Sequence, residues 1–421
     1  MEGRDAPVLV APREGRAAAF PLGASITLDD LAGDPHPVLA RLRAHEPVSW
    51  LPALGGWMVT RRDLAMQVMR DALTFTVDDP RFSTAQVVGP SMLSLDGDAH
   101  RRHRDPFAAP FRLDAVRRRF TGVVADETDR LVDAVAPAGE ADLRRAVAGP
   151  LAAAVMTVAL GFEQARVDAV LRWYDAIVGS VTAITAGDPP TEDGRRGYAA
   201  LRAALAPALH GDPDSSLLAA AAGRAGGLGE ERVASNAAVL LFGGIETTEG
   251  MIANAVAHLL THPPALAAVR AEPSVLPGAV EESLRLEPAA AVVDRYATRA
   301  TALGGARIGA RELVVVSIAA ANRDPAVFPD PDAFDPRRAN AKLHLAFAHG
   351  PHVCLGMHLA RLEAHTAVAR LLERLPGLRL APGGDPRPRG LVFRKPAELR
   401  VAWDPPGYPQ RIPDSSKPDR S

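Results

Sequence analysis

The stretch His344-Leu-Ala-Phe-Ala-His-Gly-Pro-His-Val-Cys-Leu-Gly-Met-His-Leu-Ala-Arg-Leu-Glu363 decides how the whole chain is interpreted. Cys354 is the only cysteine in 421 residues, and it lies between Gly350 and Gly356. Leucines recur at helical spacing after it, so the pattern predicts a loop that carries the cysteine to the start of an amphipathic helix. Free N–H groups and the positive end of a helix dipole favour a thiolate at such a position. An anionic sulfur held there is a candidate nucleophile, or an axial ligand to haem iron.

A lone cysteine is more simply explained as a small buried hydrophobe. However, the spacing Phe347-x-x-Gly350-x-x-x-Cys354-x-Gly356 resembles the haem-binding signature of the cytochrome P450 family, with Ala348 where that family often has glycine. The resemblance implies that Cys354 is the thiolate ligand of the iron of haem b, and that Phe347, Gly350 and Gly356 are cofactor-binding residues. It also implies a mainly α fold with small β-sheets, in which haem lies between a long central helix and the cysteine-bearing helix.

Length and composition are compatible with this class. A chain of 421 residues with 47% hydrophobic content can bury a large core, and no linker or repeat divides it. We therefore expect one large domain over residues 26–404, preceded by a flexible lead-in over 1–25 and followed by a disordered tail over 405–421. The formal net charge of −2 argues against a nucleic-acid partner. The N-terminus lacks a long apolar run, so we expect a cytoplasmic protein without a membrane anchor. Separately, we expect the protein to be a monomer.

A second chemical centre lies in a long, mostly apolar helical stretch over residues 230–262. Its segment Gly243-Gly-Ile-Glu-Thr-Thr248 places two glycines, which permit a bulge or kink, beside a carboxylate and a hydroxyl. The plainer alternative is a glycine pair that packs against a neighbouring helix. The segment also resembles the family's oxygen-binding pattern. That resemblance implies that Gly243 and Gly244 border the cofactor, and that Glu246 and Thr247 are the catalytic acid–alcohol pair for proton delivery.

Basic side chains suggest where the carboxylates of a cofactor would bind. His100 and Arg104 are one helical turn apart, so they can grip an anion together, although a basic helix face is more often simply solvated. The resemblance implies that both bind haem propionates, together with Arg295 in a predicted strand and His352 beside the cysteine. Residues 101–103 are expected to point elsewhere, towards an acidic redox partner.

A third motif has a structural rather than a chemical role. Glu282 and Arg285 are spaced i, i+3, which allows a local ion pair, and by themselves such pairs are common and weak. The resemblance adds Arg338, from a proline-rich segment, to this pair. It implies that the three residues together support the haem loop.

The remaining pattern predicts short elements around these centres. We expect helices over 34–46, 62–72, 171–184 and 193–210, a β-hairpin from 48–51 and 57–60, a long loop over 77–95, and a final hairpin from 391–393 and 399–402. Long loops in compact domains are usually functional, and the resemblance implies that this loop and the 171–210 helices cover the substrate. The candidate pocket residues are Val87, Val88, Met92, Leu93, Ile177, Val181, Val239, Phe242, Gly243, Ala291, Val292 and Val392.

Taken together, the resemblance covers residues 30–403 and implies an oxidoreductase. It implies a haem-thiolate monooxygenase that uses dioxygen to hydroxylate a mainly hydrophobic small molecule of secondary metabolism. Electrons would come from NAD(P)H through a separate ferredoxin and ferredoxin reductase. Two alternatives stay open: another outcome on the same haem, such as oxidative coupling, desaturation or peroxide-driven oxidation, and a non-enzymatic haem protein that senses a ligand.

Overall fold

The structure is a computed structural model that describes residues 13–161, 166–185, 187–210, 217–224 and 228–404. Helices dominate the described chain, as expected for a mainly α protein. The seventeen α-helices of this part are α1 Arg13–Ala19, α2 Pro21–Ala24, α3 Leu28–Ala32, α4 His36–His45, α5 Arg62–Arg70, α6 Ser83–Val88, α7 Gly97–Ala108, α8 Leu113–Val135, α9 Gly149–Leu160, α10 Val167–Thr185, α11 Glu192–Leu209, α12 Leu217–Arg224, α13 Glu230–Thr261, α14 Pro263–Ala271, α15 Leu276–Leu286, α16 Ile318–Ala321 and α17 Met357–Arg374.

The described strands form three small sheets. They are β1 Val48–Leu51, β2 Gly56–Val59, β3 Phe75–Thr76, β4 Glu140–Asp142, β5 Val292–Ala297, β6 Thr301–Leu303, β7 Ala306–Ile308, β8 Leu313–Ser317, β9 Arg379–Leu380 and β10 Arg400–Ala402. The largest sheet has the order β1-β2-β8-β5-β3, and its β2–β8 pair is parallel while its other pairs are antiparallel. The predicted hairpin over 48–60 is therefore confirmed, with Val48 opposite Val59.

Helix α13 organises the helical core. Its 32 residues span about 48 Å at the α-helical rise, and most of its side chains are buried. An apolar surface all round a helix needs partners on every side, and α13 packs against α9, α10, α11, α15 and α17. Helix α17, which follows the cysteine loop, is thereby placed directly beside the helix that carries Glu246 and Thr247.

The N-terminal region differs from the predicted flexible lead-in. Residues 13–19 and 21–24 are helical, and Arg16 is 4% exposed. Its guanidinium forms a 2.7 Å ion pair with Glu312 and lies over the rings of Trp50 and Trp57, at 4.7 and 5.5 Å from their centroids. The lead-in prediction is wrong for residues 13–24 because these tertiary contacts, invisible in a short Ala/Arg-rich segment, hold it on the sheet. Residues 1–12 and the predicted tail over 405–421 lie outside the described residues.

Two other predicted segments are corrected. The loop over 77–95 contains the short helix α6, and the final hairpin does not pair as expected, because β10 pairs with β4 and β9. Residues 391–393 instead lie in a turn over 389–395, closed by a bridge between Arg389 and Lys395. Phe393 of this turn bridges to Ala290. A run of apolar residues predicts a strand but not its partner, which is set by contacts far along the chain.

Candidate active site: a buried cysteine between two helices

The cysteine loop has the predicted form. Residues Gly350–His352 make one 3₁₀ turn, Cys354 follows, and Gly356 caps the N-terminus of α17. The Cys354 backbone N–H donates to the Phe347 carbonyl at 2.8 Å, which closes the loop over the sulfur. The Gly356 N–H donates to the thiol itself.

Opposing influences act on the pKa of the Cys354 thiol. Burial raises the pKa of the thiol, whereas the Gly356 N–H and the positive charges of Arg104 and Arg361 lower it, and burial dominates. Burial therefore opposes the thiolate that a position at a helix N-terminus was expected to favour. A coordinated metal deprotonates a thiol outright, and the same donors then stabilise the resulting charge.

Two residues of the loop have left-handed backbone geometry. Gly350 has φ +77°, and a Cβ there would lie 2.5 Å from the Met69 carbonyl oxygen, so glycine is required at this position. Ala348 has φ +58°, which is uncommon for a residue with a side chain. This geometry explains in physical terms why glycine is often found at position 348 of the family motif.

Basic side chains from α7 and β5 lie near the cysteine loop. Arg104 of α7 donates to the Val353 carbonyl at 2.6 Å, directly before the cysteine. Arg295 of β5 is 5% exposed, and its Nη1 donates to the Asp294 carbonyl at 2.7 Å. Burial lowers the pKa of both arginines; Asp105 partly offsets this for Arg104, and Asp96 and Asp294 for Arg295, although neither guanidinium forms an ion pair within the described chain. Buried guanidinium groups without an ion-pair partner of their own suit an anionic ligand.

The two histidines complete this cluster. The rings of His100 and His352 lie 4.3 Å apart, and His352 forms a 2.8 Å ion pair with Asp96. His100 is 4% exposed and its Nε2 has no hydrogen-bond partner in the described chain. Burial and the charges of His352 and Arg104 lower the pKa of His100 to about 4. Such an orphaned buried nitrogen points to a polar group that the protein itself does not supply.

His103 contradicts the idea of a histidine that faces a redox partner. It is as buried as His100, because the two are three residues apart and share one face of α7. Its ring bonds to the Asn236 side chain at 3.1 Å. Arg101 and Arg102 are exposed, as expected.

The two glycines of α13 have different surroundings. A Cβ on Gly244 would lie 2.5 Å from the Met156 sulfur of α9, whereas a Cβ on Gly243 would meet no atom within 4 Å. The helix continues through the pair, so no break occurs at this site. Thr247 Oγ1 donates to the Gly243 carbonyl at 2.6 Å, which leaves the hydroxyl oxygen able to accept a bond on the open side.

The Glu246 carboxylate forms an ion pair with a lysine that none of the sequence motifs indicated. Lys395, from the 389–395 turn, lies 2.8 Å from Glu246 and also pairs with Glu249. Burial raises the pKa of Glu246, and the lysine partly offsets this effect. The described residues show no hydrogen bond from Glu246 to Thr247. One weak signal existed in the sequence: Lys395 is one of only three lysines among 48 lysines and arginines.

The supporting trio meets as the motif implied. Glu282 accepts two bonds from Arg285, at 2.7 and 2.8 Å, and one from Arg338 at 2.8 Å. Glu282 and Arg285 are fully buried, so this cluster differs from the weak surface pair that spacing alone suggests. Arg285 and Arg338 also bind carbonyls of the 322–333 segment, which precedes the cysteine loop.

A neighbouring network contacts the cysteine loop directly. Glu281 pairs with His344 at 3.1 Å and with Arg361 at 2.6 Å, and the Arg361 guanidinium lies 4.4 Å from the Phe347 ring centroid. Despite burial, the hydrogen bonds from His344 and Arg361 lower the pKa of Glu281 to about 2. The motif Glu-Glu-x-x-Arg contained this residue, but only the fold shows its partners.

The predicted pocket residues are not all brought together. Those from the 77–95 segment, together with Ile177, Val239 and Phe242, belong to the core cluster around α13. Ala291, Val292 and Val392 pack instead in a separate cluster with Met58. Phe393, and not the predicted pocket residue Val392, lies against α13, since its ring centroid is 5.5 Å from that of Phe242. Alternation along an extended segment sends neighbouring side chains to opposite faces, so a one-residue error in register exchanges them.

These residues fit a haem. One thiol with N–H support suits an axial ligand, the buried cationic cluster suits two propionates, and the open faces at Gly243 and Gly356 allow a flat ring to approach. A mainly helical domain with a cysteine held in this way defines the class of haem-thiolate proteins.

Comparison with known proteins is consistent with this class. The family Cytochrome P450 matches residues 213–390. The chain is 38% identical over 374 residues to cytochrome P450 monooxygenase PikC of Streptomyces venezuelae, covering 83% of this chain and 86% of PikC. It is 34% identical over 384 residues to the mycinamicin IV hydroxylase/epoxidase of Micromonospora griseorubida, covering 86% and 94%. The crystal structure of CalO2 superposes with a TM-score of 0.81 at 31% identity, covering 90% of this chain and 100% of CalO2.

The chain therefore belongs to the cytochrome P450 family, and it is a monooxygenase. The family implies haem with a cysteine thiolate ligand, redox partners that supply electrons, and a small-molecule substrate. Among the described residues, no helix is both long and apolar enough to cross a membrane.

Proposed function

We propose that this monooxygenase oxidises a mainly hydrophobic biosynthetic intermediate of secondary metabolism. The proposal rests on the Cys354 loop at the start of α17, which packs against α13, and on the open face of α13 at Gly243 and Thr247. It is supported by relatives that include a mycinamicin hydroxylase/epoxidase. Electrons would come from NAD(P)H through a ferredoxin and its reductase, with the protein acting as a monomer. The substrate itself would be found by screening for ligands that shift the haem spectrum.

The mechanism assigns separate tasks to the residues of the site. Haem, when bound, supplies the activation of dioxygen. Cys354 would hold its iron, while His100, Arg104, Arg295 and His352 would neutralise its propionates through charge-assisted bonds.

Proton delivery would fall to the two side chains beside the glycine pair. The Thr247 hydroxyl, anchored on the Gly243 carbonyl, would present its oxygen to a proton donor on the open side of α13. Glu246 would supply the proton, and its burial favours the protonated acid that this role requires. The presence of this pair supports dioxygen chemistry over the peroxide-driven alternative.

The test is the variant Thr247→Ala, because losing a positioned hydroxyl should divert electrons rather than block reduction. A general acid or hydroxyl contributes about 10²–10⁴-fold in rate. We expect unchanged haem content and substrate affinity, a lower ratio of product to NADH consumed, and more hydrogen peroxide. The measurement uses surrogate ferredoxin and reductase with a well-coupled substrate.

Thr261→Ala is the matched control. Thr261 lies in the same helix and makes the same bond to the residue four positions earlier, donating to the Ala257 carbonyl at 2.7 Å. It is the last residue of α13, far from the glycine pair, so its variant should stay as well coupled as the parent. Parent-like coupling in Thr247→Ala would show that protons arrive by another route.

A further inference from the structure

The 389–395 turn is fixed against α13 by a buried arginine. Arg394 is 2% exposed and binds the Glu287 carboxylate as well as the carbonyls of Gly390 at 2.8 Å and Gly33 at 3.1 Å. Asn254 of α13 donates to the Arg394 carbonyl at 3.0 Å. The residue that follows Arg394 is therefore held at the surface of α13 and has little freedom to withdraw.

That next residue, Lys395, joins a buried cluster of four charges. It pairs with Glu246 and Glu249, and Glu249 also pairs with Arg144 at 3.0 Å. The four side chains are only 3–13% exposed. The hydroxyl of Tyr174 from α10 lies 3.5 Å from the lysine nitrogen. The charged and titratable groups around Glu246 are therefore Lys395 of the turn, Glu249 of α13, Tyr174 of α10 and Arg144.

The two carboxylates need a shared cation. Glu246 and Glu249 are spaced i, i+3 on one helix, so two like charges would face each other in a poorly solvated region. Lys395 lies between them, while Arg144 contacts only Glu249. A lysine is a compact point charge on a flexible stem, and it can serve two separate carboxylates in a way that a planar guanidinium does less readily.

We propose that Lys395 is a positioning residue for proton delivery: it binds Glu246 as the carboxylate and so sets when this residue carries a transferable proton. This inference rests on the proton-donor role of Glu246 in the proposed function. The same turn carries Phe393, which contacts Phe242 one residue before the glycine pair. The protonation of the acid is thereby linked to the segment that lies against the expected substrate region.

The consequence for the acid follows from the charges around it. Burial and Glu249 raise the pKa of Glu246, whereas Lys395 and Arg144 lower it. Without the lysine, Glu246 loses its nearest cation and keeps both influences that favour the protonated form. Glu246 should then stay protonated to higher pH. The ratio of product to NADH consumed should therefore begin to fall at a higher pH than in the parent; this fall is the alkaline limb of the coupling profile.

The experiment compares Lys395→Met, Lys395→Arg and the control Lys342→Met, whose parent lysine is exposed. The ratio of product to NADH consumed is measured across pH. We expect the alkaline limb to rise by about one pH unit in Lys395→Met, equivalent to about tenfold in proton affinity. Lys395→Arg keeps a cation beside Glu246, so its shift should be clearly smaller than that of Lys395→Met, and Lys342→Met should match the parent. Lys395→Met added to Glu246→Gln should cause no further shift.

An infrared measurement on the resting enzyme makes the test independent of turnover. Lys395→Met should show a protonated carboxyl band at neutral pH that is missing from the double variant with Glu246→Gln. If neither this band nor the pH limb changes while thermal stability falls, Lys395 is only a structural contact and the inference is overturned, although the proposed function stands. If Glu246→Gln alone leaves coupling and the solvent isotope effect as in the parent, the proton-donor role fails and the inference fails with it.

Discussion

The fully buried trio of Glu282, Arg285 and Arg338 allows a sharp test of how much the support of the haem loop depends on charge. The perturbation is Glu282→Gln, which keeps the shape of the side chain and removes its charge. In the parent, Glu282 accepts three bonds from the two arginines and a fourth from the Asp335 N–H at 3.2 Å. Both arginines would keep their carbonyl partners but lose the only carboxylate within reach in the described residues.

The burial of the trio determines how much stability the variant should lose. Breaking a buried ion pair by removing one partner costs about 3–5 kcal/mol, because the remaining charge is left without compensation. The side chains of Glu282 and Arg285 are 0% exposed and that of Arg338 is 9% exposed, so solvent cannot replace the lost carboxylate. We therefore expect Glu282→Gln to lower the free energy of unfolding by an amount in this range.

The same segment offers a matched control. Arg337, next to Arg338, pairs with Glu272 at 2.6 Å, but these side chains are 58% and 52% exposed. Exposed pairs contribute about 0–1 kcal/mol, so Glu272→Gln should be nearly neutral.

The assay is urea unfolding of the haem-loaded protein, followed both by helical circular dichroism and by the haem absorbance. The urea midpoints are compared only between variants whose free energy of unfolding depends on urea concentration with the same slope. Limited proteolysis within residues 328–343 provides a local readout. Similar losses below about 1 kcal/mol in both Glu282→Gln and Glu272→Gln would refute the argument that burial makes this trio strong.

Three further predictions concern the cofactor and pH. Cys354→Ala should abolish the red-shifted Soret band of the reduced carbon monoxide complex, and a normal band in that variant would exclude this cysteine as the ligand. Arg104→Ala and Arg295→Ala should each lower haem occupancy and speed haem loss, whereas parent-like occupancy in both would remove them from the propionate site. Glu281, whose pKa falls from an ordinary 4.5 to about 2, contributes stability that is present above pH 4.5 and lost as the pH falls towards 2. Glu281→Gln should therefore flatten the acid limb of a stability profile, and an unchanged limb would contradict the assignment.

Much of the fold could be predicted because helix spacing and turn chemistry are local properties. The bounds of α13 and the start of α17 follow from apolar periodicity, and the cysteine loop follows from its motif. The Glu-x-x-Arg pair is also local, so its contact was predictable. Its burial was not, because burial depends on what packs over it.

The failures share one physical origin, which is contact between distant segments. Lys395 pairs with Glu249 across 146 residues, and nothing near either residue announces the partner. The exchange of Val392 for Phe393 has the same cause, since register in an irregular turn is set by the surface against which it packs. His103 is the exception, because its i+3 spacing from His100 could have predicted that it too is buried.

The contact of Arg16 with Trp50 and Trp57 has a practical consequence for handling the protein. These are two of the four tryptophans in the chain, and Trp57 shares the Glu312 carboxylate with Arg16 through a 2.7 Å bond from its indole N–H. A shortened version starting at residue 26 would uncover both indoles and leave Glu312 without its arginine. Intrinsic fluorescence should therefore report, without any label, whether a truncated or tagged version still has its first helix docked.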